Sequence, residues 1–284
     1  INLYRDSKKR SFYGVIMAGG SLGALFGSEI SKRFSDSFNE FGIELFGLSA
    51  SFFLFLAMML AVYMLSIYRK DTSIDLNNVG GGSFDAIKNS LQNNEIRNIS
   101  TYVWIWTALM TIQWITAINI VEDWSQDSEQ RLRFFATIEQ VISPLTLIVQ
   151  LFLTNIIIKR FGIKNIMLSY GLIFCLAYML YGLAPSIVSV GVVTVLLRVF
   201  EYGVNKPTRE TIFSTFQKND RYKSTVFIDT FVSRFGDLSG SGFIALSKLT
   251  GLATNVFPLM AIPIAGYLSF LGIKISKDVK TRDL

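Results

Sequence analysis

Long apolar blocks at 43–67, 102–121, 134–158, 165–200 and 252–273 limit what this chain can become. A helix of about 20 apolar residues crosses a bilayer, and helices span because they satisfy their own backbone inside hydrocarbon. Each block reaches spanning length, and 165–200 is long enough for two helices with a turn at Pro185. Of 284 residues, 51% are hydrophobic and 17% charged, where a soluble domain carries about a quarter charged. The mean hydropathy is +0.42. A large soluble protein with buried helices would not set several spanning-length blocks in succession.

Composition also removes function classes. There is no histidine, so a His-based catalytic triad is impossible. Cys175 is the single cysteine and sits in an apolar block, so it has no disulfide or metal-ligating cysteine partner. Zinc and haem chemistry are not expected, nor any other metal or cofactor. No Ser-His, paired-Asp or metal-spaced set lies within the spans, so the chain is not expected to be an enzyme. "GGGS" at 80–83 lacks the lysine of a phosphate loop. The net charge of +6 does not point to nucleic acid, because the basic residues cluster between apolar blocks.

The pattern predicts an all-α polytopic bundle of about eight membrane helices, near 11–30, 41–68, 100–121, 131–158, 164–183, 186–205, 223–248 and 252–273. A polar linker, 69–99, divides it and contains "NNVGGGS". Basic loops alternate with acidic, mixed or uncharged ones, "SKRFSDSFNE" being the mixed one. Lys159, Arg160 and Lys164 share one loop, Lys218, Arg221 and Lys223 another, and Lys274, Lys277, Lys280 and Arg282 follow the last span. Lys8, Lys9 and Arg10 precede the first span, and Arg69 and Lys70 follow the second. Positive residues mark the cytoplasmic side. The chain opens with Ile1 rather than Met, which suggests a piece that has lost its N-terminal part.

Gly19, Gly23 and Gly27 recur every four residues, as do Gly236 and Gly240. In lipid such faces let helix backbones approach. They serve either static packing or a sliding interface between two halves of a transporter.

Ionisable groups within spans are expensive, so they face a partner or a polar cavity. Arg198 and Glu201 lie on one helical face that continues through Asn205 to Arg209. "FIDTFVSRFGDLSGSG" adds Asp229, Arg234 and Asp237 on what is expected to be a neighbouring helix. Glu139, ahead of Pro144, is a further isolated acid. Arg198 with Glu201, and Arg234 with Asp237, read as structural ion pairs. They read equally as the lining of a cavity where a guanidinium clamps an anionic solute. The partner of Glu139 is a solute, a proton or a nearby Arg. Gln113, Asn119 and Gln150 are weaker cavity-lining candidates. Pro207 is expected to break or kink the sixth span near its cytoplasmic end.

"RVFEYGVNKPTRETIF", then "QKNDRYKS", then "FIDTFVSRFGDLSG" resembles the end of the nucleotide-exchange carriers. These are the ATP:ADP antiporter family of the major facilitator superfamily and its bacterial relatives. "FYGVIMAGGSLGALFGS" resembles the fifth helix of those relatives and "KRFGIKN" their loop after the eighth. Gly14, Gly23 and Gly27 resemble the superfamily's antiporter signature, with Ser28 where a proline is usual. The resemblance implies helices five to twelve of a twelve-helix fold in a bacterial inner membrane. Residues 1–68 would be the last two helices of the N-terminal bundle, 69–99 the central cytoplasmic linker, 100–274 the six-helix C-terminal bundle, and 275–284 a cytoplasmic tail. Two positions depart: Thr225 replaces the second lysine ahead of "ID", and Asp237 stands where the family has lysine. Fewer cations weaken the case for a polyphosphate substrate. Lys223, Arg209 and Arg234 remain as anion contacts.

The expected function is therefore secondary transport by alternating access, with an organic anion as solute, lipid as surroundings, and no nucleic acid partner. The substrate or gate residues would be Arg198, Glu201, Arg209, Lys223, Asp229, Arg234, Asp237 and Glu139. A non-transporting membrane protein or a degenerate carrier remnant is the alternative.

Overall fold

The computed structural model describes residues 13–35, 38–68, 93–214, 224–251 and 256–280, and their regular structure is entirely helical. The basic N-terminal stretch, linker residues 69–92, the loop 215–223 with Lys218, Arg221 and Lys223, and residues 281–284 lie outside the described residues. The helices are α1 (Tyr13–Ser35), α2 (Phe38–Tyr68), α3 (Asn94–Trp124), α4 (Ser128–Ile148), α5 (Thr154–Leu183), α6 (Ile187–Phe200), α7 (Lys206–Ser214), α8 (Ser233–Leu249) and α9 (Val256–Lys280). Three π-helical turns interrupt them: Val149–Leu153 joins α4 to α5, Glu201–Asn205 joins α6 to α7, and Ile228–Val232 leads into α8.

Five stretches among the described residues are long and apolar enough to cross a membrane: Gly47–Met64, Asn94–Trp124, Ser128–Leu183, Ile187–Phe213 and Val256–Lys277. No residue of Gly47–Met64 is buried, and Phe52, Phe53, Leu54 and Phe55 all stand exposed. Such a surface suits lipid or other apolar helices and not water. The chain is an all-α, multi-pass integral membrane protein.

Helix ends follow local chemistry more than hydropathy. α3 starts six residues ahead of its expected position, because the Asn93 side chain accepts from the Glu95 N–H at 3.0 Å and caps it. Asp127 caps α4 in the same way. The turn expected at Pro185 is present: α5 ends at Leu183, and Ser186 and Ser189 form a reciprocal capping box at the start of α6. The loop expected at 159–164 contracts to one break at Gly162 (φ 71°, ψ 161°). That conformation is nearly exclusive to glycine. Near Pro207, where a break or kink is expected, the regular α-helix gives way to the π turn Glu201–Asn205, and the chain then continues helically to Ser214.

The buried core lies where α3, α5, α6, α7 and α9 meet, and includes Tyr102, Leu109, Ile112, Phe174, Tyr178, Leu197, Ile212 and Phe257. Several of its polar groups are matched within it: Gln113 donates to Tyr181 Oη (2.9 Å) and Thr194 Oγ1 (3.2 Å), and Tyr178 donates to the Leu109 carbonyl (2.6 Å). Two helix pairs approach through glycine. On α8, a Cβ at Gly236 would meet Thr107 and the Trp104 carbonyl, and one at Gly240 would meet the Ala108 carbonyl and Thr111, all on α3. On α5 and α9, Gly171 and Gly272 play the same part, and Ser269 donates to the Leu168 carbonyl at 2.8 Å. The stripe Gly19, Gly23 and Gly27 behaves differently. A Cβ at any of them meets nothing within 4 Å among the described residues. α1 instead packs on α4, with Glu29 accepting from Gln140 (2.6 Å).

Gly240→Ala forces a methyl onto a backbone carbonyl that cannot yield, and should lower stability in detergent by about 1–3 kcal/mol. Gly242→Ala, on the same helix with nothing near its Cβ, should match or exceed wild type. Thermal unfolding of the two purified variants checks the contrast. Equal midpoints would remove the close α3–α8 contact.

Candidate functional site

The α6–α7 junction carries the densest buried chemistry. Proline has no N–H. In α-helical register Pro207 would serve the Gly203 carbonyl, and in π register the Tyr202 carbonyl. Both carbonyls find donors on the neighbouring chain segment instead. Gln150 Nε2 donates to Tyr202 O at 3.1 Å, and Thr154 Oγ1 donates to Gly203 O at 2.5 Å. Gln150 belongs to the turn Val149–Leu153 and Thr154 directly follows it, so two π turns face and satisfy each other. Gly203 is needed because a Cβ there would strike Val149. Ser21 of α1 donates to Gln150 Oε1 (3.0 Å), which ties a third helix to the junction. Turns of this kind often mark functional sites.

The same junction presents Glu201, Asn205 and Arg209 inward, all buried. Asn205 Nδ2 donates to Glu201 Oε2 (2.6 Å), and Tyr102 Oη donates to Asn205 Oδ1 (3.2 Å). Arg209 Nη2 lies 3.7 Å from Glu201 Oε1, a long ion pair whose side chains are only 6% and 3% exposed. The guanidinium sits 4.4 Å over the Trp106 ring. Trp106 donates to Tyr170 Oη (2.8 Å), and Tyr170 stacks on Phe200 (5.4 Å). Arg209 Nε and Nη1 and Glu201 Oε1 have no hydrogen-bond partner among the described residues. A buried guanidinium with open donors is costly in low dielectric. This arrangement can accept an oxyanion on Arg209.

The other predicted site residues fall elsewhere. The expected Arg198–Glu201 pair does not form. Arg198 reaches across to Glu139 of α4 at 3.3 Å and lies over Tyr202, with both members of the pair about three-tenths exposed. Helical spacing put Arg198 and Glu201 on one face, but it gave no sign that Glu139 of another helix lies within reach of Arg198. Arg234 does pair with Asp237 (3.0 Å), and Asp237 also accepts from Thr111 of α3 (3.0 Å). Arg234 is 80% and Asp237 41% exposed, so this pair lies at the surface, unlike the enclosed Glu201 and Arg209. Asp229 is exposed at the third π turn. Lys223 lies outside the described residues.

Sequence reasoning missed Tyr102, Trp106 and Tyr170. Aromatic residues in a span read as ordinary core. A signal was nonetheless present: Tyr102, Trp106 and Met110 repeat every four residues, as do Tyr170, Phe174 and Tyr178, and as do Glu201, Asn205 and Arg209. Residues four apart share a helical face.

Thr154→Val should destabilise the fold by about 1–3 kcal/mol, because it leaves a buried carbonyl unpaired. The loss should shrink in a Pro207→Ala background, where an N–H is restored near Gly203 O. A double-mutant cycle of unfolding in detergent measures the coupling. Additive effects would show that the proline and the threonine are unrelated.

Searches of family models, of curated proteins and of solved structures gave no match to this chain.

Proposed function

We propose that this chain is a secondary transporter of an organic anion, working by alternating access and built as helices five to twelve of a major facilitator fold. The single observation that carries the reading is Arg209: a guanidinium buried among membrane spans, stacked on Trp106, with Nε and Nη1 lacking an acceptor among the described residues. Arg binds carboxylate and phosphate through just such donors. An ionisable group at membrane depth marks a solute or ion path by default. Irregular helical turns at that depth suit a site between moving bundles.

In this reading α1 and α2 belong to the N-terminal bundle, and the remainder to the C-terminal one. Ser21–Gln150 and Glu29–Gln140 then cross between bundles. The first ends on the π turn that braces the Arg209 junction, so rocking of one bundle would be felt at the site. Arg198 and Glu139 act as a gate beside it. Asp229, Arg234 and Asp237 lie along the path to the cytoplasm, and not at the binding centre. The resemblance to nucleotide-exchange carriers makes nucleotides the first solutes to try, with other phosphate- or carboxylate-bearing solutes next.

A non-transporting membrane protein is the second reading. It draws on the same cluster, since Glu201 and Trp106 together hold Arg209 in place.

The test is uptake of labelled nucleotides and other organic anions into proteoliposomes holding the full-length gene product. Arg209→Gln should reduce uptake at least tenfold while the protein stays monodisperse, and Arg234→Ala should keep it within about twofold of wild type. Unchanged uptake by Arg209→Gln would remove the site. Absence of uptake across the whole panel would favour the second reading.

A further inference from the structure

Charge balance at the junction points beyond anion binding. Glu201 and Arg209 together sum to zero, and both are almost wholly buried. An anion arriving at Arg209 would leave one uncompensated negative charge among membrane spans, where lone charges are very unfavourable. The groups facing Glu201 limit how that charge is neutralised. Arg209 stays protonated in proteins. Tyr102 of α3 bears on Glu201 electrostatically, and Tyr170 of α5 does so both electrostatically and as a hydrogen-bonding neighbour of the Glu201 side chain; a neutral tyrosine releases a proton and does not take one up. The π turn Val149–Leu153 brings only the uncharged Gln150. From α4, Glu139 is engaged by Arg198. The Glu201 carboxylate is therefore the acceptor. Its two oxygens are already distinguished: Oε2 takes the 2.6 Å Asn205 hydrogen bond, while Oε1, the oxygen on the Arg209 side, has no hydrogen bond of good geometry among the described residues.

Resting on the anion-transport reading, we propose that Glu201 is a proton site, and that a carboxylate- or phosphate-bearing solute enters the Arg209 site together with one proton. The solute takes Arg209 from Glu201. A proton from the aqueous side binds Glu201 Oε1, which changes from acceptor to donor and can hydrogen-bond the incoming anion. No other bond is made or broken, and for a singly charged anionic group the site stays neutral. Because binding takes up a proton, affinity must fall as pH rises, by about tenfold per unit once Glu201 is ionised in the anion-free protein.

The full-length protein in lipid nanodiscs is titrated calorimetrically with acetate, sulfate and adenosine diphosphate. Buffers of different ionisation enthalpy count protons exchanged per anion bound, and the diphosphate's own ionisation is measured in a blank. One proton taken up per anion, with the expected pH slope, supports the proposal. Glu201→Gln should then bind more tightly at pH 8, with no proton uptake and a flat pH profile. Should that variant fail to remain monodisperse, the wild-type proton count decides alone. Anion binding without proton uptake, or compensated by added sodium or potassium, overturns the proton site and leaves the anion site standing. Failure of all three probes to bind in an Arg209-dependent way overturns both.

Discussion

A polar group at membrane depth has to be satisfied by the protein, and the α6–α7 junction is organised around that demand. One proline removes a backbone donor, and a π turn moves the register beside it. Two carbonyls then need partners. The answer comes from a second π turn, on a different part of the chain, that supplies Gln150 and Thr154. The irregularities of both segments thus become one interlocked joint, with Gly203 allowing the approach. What looks from the sequence like a break is a brace.

The joint also places charge. By carrying the helix on past Pro207 to Ser214, it keeps Arg209 inside the bundle, below Trp106 and within long range of Glu201. Magnitude decides how the three charged clusters differ. Arg234 with Asp237 is exposed, and Arg198 with Glu139 is partly so, so their pairing energies are modest. Glu201 with Arg209 is almost fully enclosed, and loss of either partner of such a pair costs about 3–5 kcal/mol. A pair held at 3.7 Å with open donors is poorly optimised for stability alone, which is why function is sought there and not at the shorter pairs outside.

Much of the fold was legible. Spanning-length blocks, the turn at Pro185 and the approach of Gly236 and Gly240 follow from composition and spacing, because hydrocarbon demands apolar helices and close packing demands small residues. The glycine stripe of α1 illustrates the limit. Its spacing equals that of the α8 pair, yet only the α8 pair meets another described helix. Spacing says which residues share a face and is silent about what the face meets. The same limit produced the Arg198–Glu201 pairing, because spacing along one helix says nothing of Glu139 on another.

The sequence by itself determined that this is a helical membrane protein, that its charges are few, and that Glu201, Asn205 and Arg209 lie at fourfold spacing. These are consequences of local composition and period, which need no partner. Only the tertiary structure decided that Arg198 answers Glu139, that Arg209 sits over Trp106, and that two π turns close on each other. Those contacts join residues dozens of positions apart, and they depend on register shifts and helix neighbours that no local pattern specifies.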